Sequence, residues 1–381
     1  MNERLPVTLV GGFLGAGKTS FLHHILSEHR GGHLAVLVEN PGALNLDARA
    51  LCGLCGAMRR SNDIVLEIPD ANEATQIEWI AARLRECYFE GRYERVLIEL
   101  AGTTNPARLA EYFLADRAGT FSQSAELQQI ICVVDALDYF LEGKASGSVS
   151  AWWDFQNEQI AGASLIIFNK CDLLEDKDRD LCLGRLQAAH PGVRIVAAAY
   201  GEVPPEIWSA PVMAQTYGVP VQQRLAKGAA DTLELKLASA LYRVHRPFHP
   251  ARFLDWFNAD HPGLLRVKGL IWLATRNLLV GGVSRTRWQN SCGTAGIWWA
   301  ALPREEWPQE PGALMRMQET WREPYGDRRQ ELILIGDAEQ LSSTMRRQLD
   351  ACLLTDEEYA QPVEEWSVLP DPFPAWDFDD G

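Results

Sequence analysis

Six short apolar runs punctuate the first 200 residues: LPVTLVGG (5–12), HLAVLVEN (33–40), ERVLIELAG (94–102), LQQIICVVDA (127–136), ASLIIFNKCD (163–172) and VRIVAAA (193–199). They are rich in Val, Ile and Leu and almost unbroken by polar residues, the pattern of parallel strands covered on both faces. Between them, residues 74–90 carry Ile77, Ile80, Ala81 and Leu84 at helical spacing, and residues 105–115 form a second helical candidate. This alternation predicts a doubly wound, mostly parallel α/β domain over residues 1–205.

The rhythm breaks where Pro204, Pro205, Pro211 and Pro220 precede a polar stretch, so residues 206–232 read as a linker. Beyond it lie ELKLASALYRVHRP, a helical stretch at 250–260, LLRVKGLIWLAT, LLVGGVSR, GIWWAAL, ELILIGD and a helix at 338–353. Strands outnumber helices there, which predicts a smaller α+β domain over residues 233–355. After Arg347 no basic residue follows, and residues 356–381 combine nine Asp and Glu with four prolines and Trp366, Phe373, Trp376 and Phe378. The expectation is a solvated, disordered acidic tail, with an acidic-aromatic docking peptide as the alternative.

Composition adds exclusions. Hydrophobic residues at 47% and charged residues at 23% suit folded domains. Lys and Arg number 36 against 51 Asp and Glu, a formal charge of −15, so nucleic acid and anionic membrane are not expected as partners. No apolar run reaches the roughly 18 residues of a membrane span. The first residues lack the long apolar core and cleavage site of an export signal, and a cytoplasmic protein is expected. The eight cysteines then read as thiols or metal ligands, not as a disulfide framework.

The chemistry concentrates at strand ends. Gly12-Phe13-Leu14-Gly15-Ala16-Gly17-Lys18-Thr19, followed by Ser20, stands between an apolar strand and a helical stretch, the setting of a phosphate-binding loop. In such a loop glycines let backbone N–H groups turn toward phosphate oxygens, Lys18 reaches the β and γ phosphates, and the Thr19 hydroxyl binds Mg²⁺. The helix N-terminus adds a favourable dipole. Glu99 ends another apolar run just before Ala101 and Gly102, at the carboxyl edge where open α/β sheets bind ligands, and is a candidate for Mg²⁺ or water positioning. Asn169-Lys170-Cys171-Asp172 ends the fifth of the six runs. A carboxylate there accepts two hydrogen bonds from guanine, for which adenine has no matching donor pair, so GTP is expected over ATP. Cys52 and Cys55, at CxxC spacing downstream of a switch-like segment at 39–47, can grip one soft ion. With no second CxxC, further ligands would come from Glu39, His33, His23, His24 or a delivery target; two ordinary cysteines fit the spacing as well.

Together with RPFHPARF, LLRVKGLIWLA and GDRRQELILIG, these motifs resemble the CobW-type metallochaperone GTPases over nearly the whole chain except the tail. The resemblance implies a GTPase domain joined to a CobW carboxyl-terminal domain, a GTP/GDP and Mg²⁺ cofactor set, and control of metal binding by nucleotide state. It makes Zn²⁺ the first choice over Co²⁺ or Fe²⁺, and it places Asp47 beside Thr19 and Glu99 as a Mg²⁺ ligand. Two departures stand out. The family metal motif GCxCC is here Cys52-Gly53-Leu54-Cys55-Gly56, in which only Cys55 matches in register, and the switch NEFG is here Glu39-Asn40-Pro41-Gly42.

The leading expectation is a slow GTPase that hands a transition metal to a client metalloprotein. The alternative is a GTP-dependent assembly factor whose altered cysteine motif no longer binds metal. A P-loop kinase would leave the Asn169-to-Asp172 motif without a role.

Overall fold

The computed structural model describes residues 3–39, 63–69, 71–114, 119–144, 151–209, 237–308, 311–337, 341 and 343–376. They fall into two compact units, one before residue 210 and one after residue 236.

The first unit is built on strands β1 (Leu5–Gly11), β2 (His33–Glu39), β3 (Ile64–Ile68), β4 (Tyr93–Glu99), β5 (Ala125–Asp135), β6 (Leu165–Asn169) and β7 (Arg194–Ala197), in the order β3-β2-β4-β1-β5-β6-β7. Every pairing is parallel. The unbroken apolar runs follow from cover on both faces. Alternate side chains of a strand point to opposite faces, so Val7 and Leu9 of β1 enter one core with the helix Glu73–Glu90, while Val10 enters another with the helix Lys18–Glu28. Asn72 starts the longer helix by accepting the Thr75 amide at 3.0 Å, and Gly91 ends it in the left-handed region. The short edge strand β3 was not among the expected runs, so the NKxD motif ends the sixth of seven strands, not the fifth. Within the expected linker, Pro205–Trp208 is a short helix whose Trp208 is buried in the first unit's core.

The second unit holds β8 (Leu237–Val244), β9 (Leu264–Ile271), β10 (Leu279–Arg285), β11 (Asn290–Ile297) and β12 (Gln330–Asp337), an antiparallel sheet in the order β11-β10-β9-β12-β8. The helices Pro250–Asn258 and Ser343–Cys352 share its core, in which Phe248 stacks on Phe253 at 4.5 Å. Sequence NSCGTAGI has little β-former content, and cross-strand pairing with β10 makes it a strand nonetheless. The expected run GIWWAAL instead turns into the 3-10 helix Trp299–Ala301, and Trp298 is buried at 1% exposure.

The tail corrects the expectation of disorder as far as residue 376. Asp356–Tyr359 and Val363–Trp366 are short helices, the first closed by a Thr355/Glu358 capping box. Trp366 is buried against Trp272, Tyr325 and Tyr359. Acidic residues that would repel one another in an isolated peptide meet arginines of the preceding fold: Arg252 holds Glu358 at 2.5 Å, Arg276 holds Asp371 at 2.8 Å and Arg246 holds Asp356 at 2.7 Å. Trp366, Phe373 and Trp376 pack into their own unit, so the boundary expected at 355 falls inside a folded body.

Candidate nucleotide site at the strand ends

The chain leaves β1 into the glycine loop because only glycine fits. Gly12 has φ +133, and a Cβ there would lie 2.1 Å from the Val133 carbonyl oxygen of β5; at Gly17, φ +100, it would lie 2.3 Å from the Asn169 amide nitrogen. Gly15 also has positive φ, at 84. The loop therefore presses against β5 and β6. Lys18 is buried at its end, with Nζ donating to the carbonyls of Gly12 at 2.7 Å and Phe13 at 3.3 Å. An ammonium held at the centre of such a loop can exchange a carbonyl for a phosphate oxygen. Thr19 Oγ1 donates to Glu99 Oε1 at 3.2 Å, and Glu99 is 3% exposed. Ser20 lies exposed on the same first turn.

At the other end, the motif residues divide their work. Asn169 is buried; its Nδ2 donates to the Ala16 carbonyl at 2.9 Å and its Oδ1 accepts the Gly201 amide at 2.9 Å. It fastens the glycine loop to the loop after β7 and is spent on structure. Lys170 takes a left-handed φ of 61 and pairs with Asp135, at the end of β5, at 2.6 Å. Asp172 stands exposed in the 3-10 turn Cys171–Leu173, where a ligand can reach its carboxylate.

Between these ends lies the loop that follows Glu99. Glu39, the last residue of β2, accepts from the Ala101 amide at 3.0 Å and from Thr104 Oγ1 at 3.1 Å. Gln159 donates to the carbonyls of Gly102 at 3.3 Å and Thr104 at 2.9 Å. Asp135 and Gln159 were missed in the sequence. Asp135 had a signal, as a polar residue closing an apolar run; Gln159, inside a helix, had none.

Hard oxygen donors suit Mg²⁺. A hydroxyl and a buried carboxylate side by side, as Thr19 and Glu99 are, fit that ion on the nucleotide phosphates. The expected transition-metal ligands Cys52 and Cys55, and the third Mg²⁺ candidate Asp47, lie outside the described residues. The other proposed ligands do not converge: Glu39 is engaged by the 101–104 loop, His24 Nε2 meets the Val203 carbonyl at 3.0 Å, and His33 lies 3.6 Å from Asp63. Among the described residues no group of three or more His, Cys, Asp or Glu is placed to hold a metal. Burial pushes the thiols of Cys132, Cys292 and Cys352 up to about 12 and that of Cys87 to about 11, which keeps them protonated near neutrality.

A doubly wound parallel sheet with a phosphate loop after its first strand, an acid at a neighbouring strand end and NKxD at another defines a P-loop GTPase. More narrowly, the chain belongs to the CobW/HypB/UreG family: that family's nucleotide-binding domain matches residues 6–197, and the cobalamin synthesis protein cobW C-terminal domain matches residues 237–353. Zinc-regulated GTPase metalloprotein activator 1 of Dictyostelium discoideum is 26% identical over 400 residues, covering 97% of this chain and 84% of that protein. Zinc chaperone CobW of Pseudomonas aeruginosa is 28% identical over 232 residues, 53% of this chain and 58% of that one. The crystal structure of Zn(II)-bound YjiA GTPase from E. coli overlaps 93% of this chain and all of its own at 16% identity, with a TM-score of 0.41. Among the described residues no helix is long and apolar enough to cross a membrane.

Proposed function

We propose that this metallochaperone-class GTPase binds Mg²⁺-GTP, hydrolyses it slowly, and couples the state of the nucleotide to binding and delivery of a transition metal, Zn²⁺ first, to a client protein. In this reading Gly12, Gly15, Ala16, Gly17 and Ser20 form the phosphate cradle, Lys18 neutralises the β and γ phosphates, Gly102 meets the terminal phosphate, and Asp172 accepts the guanine donors beside Lys170 and Asn169. Mg²⁺, held by Thr19, Glu99 and Asp47, would neutralise charge on the phosphate oxygens. Cys52 and Cys55 would take the transported ion as thiolates.

The observation that carries the coupling is the grip of Glu39. It holds the Ala101 amide and the Thr104 hydroxyl, two and five residues beyond Glu99, and it is the last residue before the segment bearing both cysteines. A shift of the 101–104 loop on loss of the γ phosphate therefore pulls on the start of that segment. The zinc in the names of the Dictyostelium and Pseudomonas relatives supports the choice of ion.

The departure of Cys52-Gly53-Leu54-Cys55-Gly56 from the family's GCxCC motif supports the alternative of a GTP-dependent assembly factor without metal. Co²⁺ titration with GTP or GDP decides between them. A thiolate absorption band that differs with the nucleotide and disappears in Cys55→Ser, with GTP affinity retained, is the expected result. No band with either nucleotide would leave a GTP switch without metal.

A further inference from the structure

We propose that Gln159 is the positioning residue for hydrolysis, holding the loop after Glu99 in its reactive shape; this rests on the GTPase reading above. Gln159 is completely buried in the helix Ala151–Ala161. Its single amide nitrogen serves two backbone carbonyls of one loop, Thr104 at 2.9 Å and Gly102 at 3.3 Å. Its Oε1 is buried with no hydrogen-bond partner among the described residues, so the side chain is placed for its donor alone. The same helix reaches the phosphate loop, where Phe13 lies 5.9 Å from the Trp152 ring and 6.5 Å from the Phe155 ring. One rigid element thus braces both loops.

The geometry is specific about which peptide it fixes. Glu39 holds the amide of Ala101, in the peptide joining residues 100 and 101. Gln159 holds the carbonyl of Gly102, in the peptide joining residues 102 and 103. The peptide between them, which carries the Gly102 N–H, is pinned from both sides. A donor fixed before the reaction acts on the charge that develops in the transition state without reorganising first. Ground-state affinity comes from Lys18 and the glycine loop, which Gln159 does not touch. Loss of the brace should therefore slow hydrolysis and spare binding.

The test uses the full chain. In Gln159→Leu, which keeps the size and removes the donor, single-turnover GTP hydrolysis should fall about tenfold or more, with GDP affinity within about twofold of wild type. In Gln159→Glu the introduced carboxyl has a proton to donate only when protonated, and burial raises its pKa. Its hydrolysis rate relative to wild type should climb as the pH falls from about 8 to about 6. Undiminished hydrolysis in the Leu variant, a flat pH ratio in the Glu variant, or loss of GDP affinity and Tm in step with the rate would each overturn the role. A wild type that hydrolyses no GTP overturns the GTPase reading with it, whereas a hydrolysing wild type with an unimpaired Leu variant removes only Gln159.

Discussion

Buried polar groups gather at one edge in the first unit and are scattered in the second. In the first, Lys18, Glu99, Asp135 and Asn169 are buried together at the carboxyl ends of the parallel strands, where their bonds hold loops and one another. In the second, they are spent on backbone: Arg285 on the carbonyls of Phe257 and Ala259, both at 2.6 Å, Arg328 on those of Asn277 and Tyr325, and Gln330 on those of Trp272 and Arg246. Arg329 and Glu331 pair with each other inside the same unit. The difference follows from topology. Parallel strands align their ends and gather polar groups on one edge, whereas an antiparallel sheet with long irregular connections must satisfy stray carbonyls wherever they fall.

That contrast can be broken from either side. Trp366→Ala, which opens the aromatic cluster around Trp272 and Tyr359, should destabilise the second unit by about 3–5 kcal/mol and leave GTP hydrolysis at saturating nucleotide unchanged, as read by denaturant melts beside a phosphate-release assay. A small effect on the melt would return the tail to the disordered class. Lys18→Ala should weaken GTP binding about a hundredfold, roughly 2.8 kcal/mol by calorimetry, without moving the unfolding of the second unit. Equal loss in both units would deny their independence.

The smallest effect concerns the Arg252–Glu358 pair. The Arg252 hydrogen bond holds Glu358 down to about 2, with the Thr355 amide assisting. Because the folded value lies below the unfolded one, the stabilisation is present above the ordinary carboxylate range near 4.5 and is lost as the pH falls toward about 2. The pair is partly exposed, so its worth is at most about 1 kcal/mol. The Tm gap between wild type and Glu358→Gln should be visible at pH 6, narrow below about pH 4.5 and close only toward about pH 2; a gap independent of pH would assign the effect to packing.

Much of the first unit was legible because its signals are local. Apolar runs of six strands, a glycine loop and NKxD are each contiguous, and the strands lie within a few residues of where their hydrophobicity places them. What escaped was set by distant partners. β3 and β11 are strands because neighbours pair with them. The tail misled for the same reason: its charge argued for solvation until Arg246, Arg252 and Arg276 were brought opposite it.

By itself the sequence determined the chemistry available at each strand end: a lysine and a hydroxyl after a glycine loop, a carboxylate on Glu99, another on Asp172. These depend on residue type and short spacing, and folding does not change them. Only the tertiary structure decided how the groups divide the work. It spent Asn169 on tying two loops together, set Asp135 against Lys170, and brought Glu39 and Gln159, 120 positions apart in the sequence, onto the loop after Glu99. Hydrogen bonds act over about 3 Å, and which donor stands that near to which acceptor is fixed by how strands and helices pack, not by where they fall along the chain.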